Sequence, residues 1–155
     1  MIKTTVTGAD DVKKALDDAI KEIGNPFVTV GIHEGAEQPD DSGINMATLG
    51  AIQHFGNDNI PPRPWLDVGV ESGSEEYQQI IESAAEAGDD LNQALSMVGV
   101  VAVGKVQEYI TQLKSPPNAQ KTISRKKSSN PLIDSGAMRS SVSYEVQKVK
   151  PEEGL

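Results

Sequence analysis

The chain has 155 residues and a mass of 16.5 kDa, a length at which one compact domain is expected. It has no cysteine, which excludes disulfide frameworks, cysteine-ligated zinc, thiol nucleophiles and iron–sulfur clusters. The net charge of −9 is split, with 5 Lys/Arg against 18 Asp/Glu over residues 1–100 and 9 against 5 over 101–155, so the acidic body repels nucleic acid as a general partner.

No membrane partner is expected. The longest unbroken apolar or glycine run, Met97 to Gly104, is far short of the roughly 20 residues that cross a bilayer. Met1 to Lys14 shows no apolar core with a cleavage site, so no secretory signal is expected and the chain reads as cytosolic where it is made. Apolar residues make up 37% and aromatics 4%, a lean supply for a self-sufficient core that hints at burial completed by neighbours.

In chain order, Val12, Ala15, Leu16, Ala19, Ile20 and Ile23 recur on one helix face and predict a helix over about 10–23. Asp10 or Asp11 suits its N-terminus and Gly24 its stop, with Pro26 barring continuation. Phe27 to Ile32 is short and β-branched, as a strand is. The polar stretch 33–43 predicts an exposed loop. Ala47, Ala51 and Phe55 predict a helix over 44–55 that ends at Gly56. Pro61, Pro62 and Pro64 make 57–66 a stiff extended connector, since each removes an amide donor and restrains the residue before it. Ser72 and Glu75 have capping-box spacing ahead of the helix face Tyr77, Ile80, Ile81, Ala84 and Ala87, closed by Gly88.

A longer helix starts at Asp89 or Asp90 and keeps an apolar stripe through Leu91, Leu95, Val98, Ala102, Val106, Tyr109 and Leu113. Gly99 and Gly104 each cost it about 1 kcal/mol against alanine, a cost that a close backbone approach would explain. Pro116 and Pro117 end it, and 114–130 reads as a long, polar, basic loop. Asp134 is placed to accept from the amide of Gly136 or Ala137 in a capped turn. Val142, Tyr144 and Val146 alternate as a half-buried strand does, and 148–155 reads as a polar tail. The fold expected is α+β: a small, mainly antiparallel sheet from 28–32, 141–146 and an unplaced partner strand, packed against two or three helices with long loops. Residues 1–147 are expected to form its single domain.

Chemistry is thinly supported. The acidic pairs sit on expected helix ends and solvated faces, where a perturbed carboxylate is uncommon. His33 and His54 are the only histidines and lack metal-ligand spacing on one helix, although a site shared with loop acids such as Glu34 is a rival reading. Neither a nucleophile elbow nor a phosphate-binding glycine loop occurs. No enzymatic activity, catalytic residue, metal or cofactor is expected. The basic run with Lys121, Arg125, Lys126 and Lys127 is the one patch suited to phosphates, but no aromatics interleave it for base stacking. Contact with acidic surface on a neighbouring subunit is its favoured use.

Two segments carry a resemblance. Ala51-Ile52-Gln53-His54-Phe55-Gly56 followed by Ile60-Pro61-Pro62-Arg63-Pro64-Trp65-Leu66 resembles a signature of small tailed-bacteriophage morphogenesis proteins, the neck, tail-completion and minor tail components. Ser115-Pro116-Pro117-Asn118, Thr122, Lys126 and Pro131-Leu132-Ile133-Asp134-Ser135-Gly136-Ala137-Met138-Arg139-Ser140-Ser141-Val142 resembles a second signature of the same family. In place of an acidic residue common in the family, Gln53-His54 stands here.

The resemblance implies a structural virion protein without enzymatic activity. It would form a six- or twelve-fold homo-oligomeric ring at the head-tail junction, join the DNA-filled head to the tail, and contact other neck and tail proteins. Arg63, Trp65 and Arg139, with Lys121, Arg125, Lys126 and Lys127, are the expected inter-subunit or inter-ring contacts. Phe55, Gly56, Pro61, Pro62, Pro64, Leu132, Asp134 and Gly136 are expected to be structural. The alternative is a neck or minor tail component that touches passing genomic DNA through 121–127.

Overall fold

The structure is a computed structural model that describes residues 8–33, 35–36, 43–126 and 128–149. Its elements are α1 (Ala9–Ile23), β1 (Asn25–Gly31), α2 (Met46–Phe55), α3 (Trp65–Glu71), α4 (Ser74–Ala87), α5 (Leu91–Gln112), α6 (Gln120–Lys126), α7 (Ala137–Ser140) and β2 (Ser143–Val149). The fold is α+β, with β1 and β2 paired antiparallel in a two-stranded sheet. Among the described residues no third strand joins them, so the expected partner strand is absent from the sheet. The chain divides into two compact units.

The first unit draws on residues 1–29, 73–101 and 144–155. Helix α1 packs on α4. Among the described residues, Val12, Ala85, Ala94 and Val98 are its buried apolar residues. Gly8, with φ of 98°, precedes α1, and Asp10 and Asp11 fall in the first turn, where carboxylates favour the helix dipole. The expected cap at Ser72 is corrected: Gly73 precedes α4 without a side-chain cap, and the Ser72 hydroxyl donates to Gly69 O at 2.6 Å. Within α5, Gly99 is buried, and a Cβ there would come within 2.2 Å of the Tyr144 ring. The close approach expected at this glycine is therefore by a side chain.

The second unit draws on 30–72 and 102–143. Its core joins Met46, Trp65, Val106, Ile110, Leu113, Leu132, Met138 and Val142. Helix α2 opens at Asn45, whose Oδ1 accepts from Thr48 N at 2.7 Å. Its buried face is Met46, Gly50 and His54. The expected stripe of Ala47, Ala51 and Phe55 is thereby corrected by one position, and Phe55 is 75% exposed. Gly50 decides the register: a Cβ there would lie 2.9 Å from Ile32 Cδ1 and 3.1 Å from the Trp65 ring. Only a residue without a side chain lets Trp65 lie this close, and the indole Nε1 donates to Gly50 O at 3.0 Å.

The expected loop 114–130 contains α6, and β2 extends to Val149, so the expected tail begins inside a strand. Most of the expected loop 33–43 and all of 150–155 lie outside the described residues. Gly104, unlike Gly99, is exposed, and a Cβ added to it would meet nothing within 4 Å.

Candidate functional site

Both motif segments fall within the second unit, and Arg63 ties them together. Flanking prolines keep the backbone extended, and Arg63 N donates to Gln53 O at 3.0 Å, fixing the segment against α2. The side chain is 1% exposed. Its Nε donates to Pro116 O at 2.8 Å, Nη1 to Gln53 Oε1 at 3.0 Å, and Nη2 to Pro117 O at 3.2 Å and Asn118 Oδ1 at 3.1 Å. The planar fork thus reads two adjacent carbonyls and two amide side chains, a geometry that lysine does not match. Every one of these acceptors is neutral, and burial pushes the guanidinium pKa below its ordinary value.

Asn118 carries the network onward, its Nδ2 donating to Pro131 O at 3.2 Å. Lys126 Nζ donates to Asn130 O at 3.2 Å and reaches Pro131 O at 3.5 Å. Asn130 Nδ2 then donates to Ile110 O at 3.0 Å and Thr111 O at 2.9 Å, carbonyls in the last turn of α5. Its Oδ1 accepts from Leu132 N and Ile133 N at 2.9 and 3.0 Å. One asparagine therefore caps a helix and shapes the following turn. The sequence signal for it was Asn-Pro, a turn-initiating pair.

Next to this network lies a cavity of about 460 Å³. Gln53, Asn118, Thr122, Arg125, Lys126 and Ser135 contribute polar groups to its wall. Met46, Leu49, Leu132 and Met138 contribute its apolar lining. The Lys126 pKa is lowered, chiefly by burial; Asp134 opposes the shift, while Arg63 and Arg125 add to it by repulsion.

The expected contact residues are placed as follows. Arg63 and Trp65, 1% and 3% exposed, are occupied inside the subunit, and the expectation that they face a neighbour is corrected on that ground. Arg139 is half-buried: its Nη1 donates to Thr111 Oγ1 at 3.1 Å, and its carbonyl accepts from Gln107 Nε2. Lys121 and Arg125 are exposed on α6, Lys126 turns inward, and Lys127 lies outside the described residues. The basic run is thus part of a helix, where a loop was expected.

The structural residues divide similarly. Gly56, φ 73°, ends α2, and a Cβ there would fall 2.5 Å from Ile60 O and 2.7 Å from Pro62 N, so glycine is required. Leu132 is buried in the core. Pro61, Pro62 and Pro64 are exposed and act through the backbone. Phe55 is corrected to the surface, where its ring meets His54 edge-on at 4.6 Å. Asp134 does not cap α7: Gly136, φ 85°, precedes that helix, and Ser135 Oγ accepts from Ala137 N at 3.3 Å.

His54 is 8% exposed, with Nε2 3.3 Å from Asp67 Oδ2 and Nδ1 lacking a hydrogen-bond partner. His33 Nδ1 lies 2.8 Å from Ser143 Oγ. Among the described residues no group of three or more His, Asp or Glu could hold a metal, and Glu34 lies outside them. No helix among them is long and apolar enough to cross a membrane. Comparison with protein families, curated proteins and solved structures finds no match.

Proposed function

We propose that this chain is a structural subunit of the bacteriophage head-tail junction, a neck or tail-completion protein that forms a ring between the DNA-filled head and the tail. The reading rests on the motif resemblance, and one observation supports it above the rest. The two signatures, far apart in sequence, are interlocked by the Arg63 fork in one compact unit. That arrangement gives both signatures a common job: holding one compact unit together with α6 on its surface.

The proposed action is mechanical and non-enzymatic. A subunit in a closed ring offers one patch to the neighbour on one side and a different patch to the other. A chain that is acidic over its first hundred residues and basic thereafter suits such unlike patches electrostatically.

The test is inactivation of the coding sequence in the genome that carries it, followed by electron microscopy of the lysate. Filled heads and separate tails are expected, with joining restored when the chain is supplied in trans. Intact, tailed particles made without the chain would overturn the proposal.

A further inference from the structure

The cavity beside the Arg63 network has an excess of positive charge. Arg125 and Lys126 line it, Arg63 lies behind Gln53 and Asn118 in its wall, and Asp134 is the one carboxylate among the lining residues. Among the described residues neither Arg125 nor Lys126 has a carboxylate within ion-pair distance. Thr122 and Ser135 add hydroxyls, while the apolar lining gives a desolvated floor. Lys126, partly buried at this wall, interacts more strongly with an incoming carboxylate than it would in bulk water, and exposed Arg125 adds its charge at the rim. Burial is the main cause of the lowered proton affinity at Lys126, with repulsion from Arg63 and Arg125 adding to it, and a carboxylate entering the cavity would act against the shift as Asp134 does.

The chain carries a matching surface. From residue 64 to residue 104 there is no Lys or Arg. Within that stretch α4 and the turn after it expose Glu75, Glu76, Glu82, Glu86, Asp89 and Asp90. A run of carboxylates on a helix and turn is complementary to the basic cavity in sign and in side-chain chemistry.

We infer that the cavity lined by Arg125 and Lys126 is the acceptor for the acidic α4 segment of a second copy of this chain, in a head-to-tail contact. Such a contact joins two different patches, so repeating it generates a ring or an open filament. The inference deepens the ring reading and rests on its self-association, but it assigns the contact to particular charges.

The test uses the full chain as an equal mixture of nitrogen-14 and nitrogen-15 copies, treated with a carbodiimide that joins amines to carboxylates in direct contact. Arg125→Lys keeps the charge and adds an amine at the cavity. Isopeptides from position 125 to residues 75–90 of the other isotopic copy are expected. Arg125→Glu, an exposed position, should lower the apparent association constant at least tenfold while leaving the circular dichroism unchanged. Raised salt should weaken the wild-type association in parallel.

Links confined to one copy, or association unchanged in Arg125→Glu, would overturn the inference while leaving a ring built by other contacts intact. Failure of the wild-type chain to associate would overturn both readings. Binding of inorganic phosphate at Arg125 without self-association would overturn the second-copy assignment and make the cavity a small-anion site.

Discussion

Arg63 brings a formal charge into an environment with no carboxylate partner among the described residues, and its stability rests on complete hydrogen bonding to carbonyl and amide oxygens. Lysine retains the charge but cannot span four acceptors at fixed angles. Arg63→Lys is therefore expected to destabilise the fold by about 3 kcal/mol, through acceptors left unsatisfied. Chemical denaturation measures this directly. The two glycines of α5 offer a paired contrast. Gly99→Ala collides with the Tyr144 ring and should cost about 1–3 kcal/mol. Gly104→Ala meets open space and should stabilise an unassembled subunit by up to about 1 kcal/mol through helix propensity.

At the scale of elements, the end of α5 depends on an asparagine from the following segment. Asn130→Ala would remove two donors from the last-turn carbonyls and two acceptor interactions from the next turn. A loss of about 2–3 kcal/mol is expected, with hydrogen exchange rising first near residues 110–113. Lys126 offers a pH signature. Its proton affinity is lower in the fold than its ordinary value of 10.5, so between those two values the unfolded chain binds more protons at this site. Its contribution to stability must rise with pH across that interval. Lys126→Gln should remove this positive slope, and denaturation at a series of alkaline pH values compares the two.

Periodicity made α1, α4 and α5 legible, because their apolar stripes are long enough to define a face. It misjudged α2, where the residues against the core include Gly50 and His54, neither of which scores as apolar. The indole of Trp65 needs the space above glycine, so the true face is visible only once these two segments are known to meet. The short helix α6 was equally hard to read: it is polar, seven residues long and has no buried residue.

On the scale of the whole molecule, the division into two units is marked in composition only at Ser72-Gly73-Ser74. The chain crosses between them at 29/30, 72/73, 101/102 and 143/144, and three of those crossings lie inside β1, α5 and β2. No Gly/Ser-rich linker is possible at such points. The motif resemblance located the residues of the candidate site, whereas their roles required the fold. Arg63 and Trp65 proved to be internal ties, leaving α6 and the neighbouring cavity as the basic surface.

Subunits with this internal tie are expected to associate through unlike surfaces into a closed ring. The most direct measurement is the mass of the purified full chain by light scattering across a concentration series, with electron microscopy of the largest species. A discrete six- or twelve-subunit ring with a central opening is the predicted result. A strict monomer throughout the series, with no ring on the grid, would contradict it.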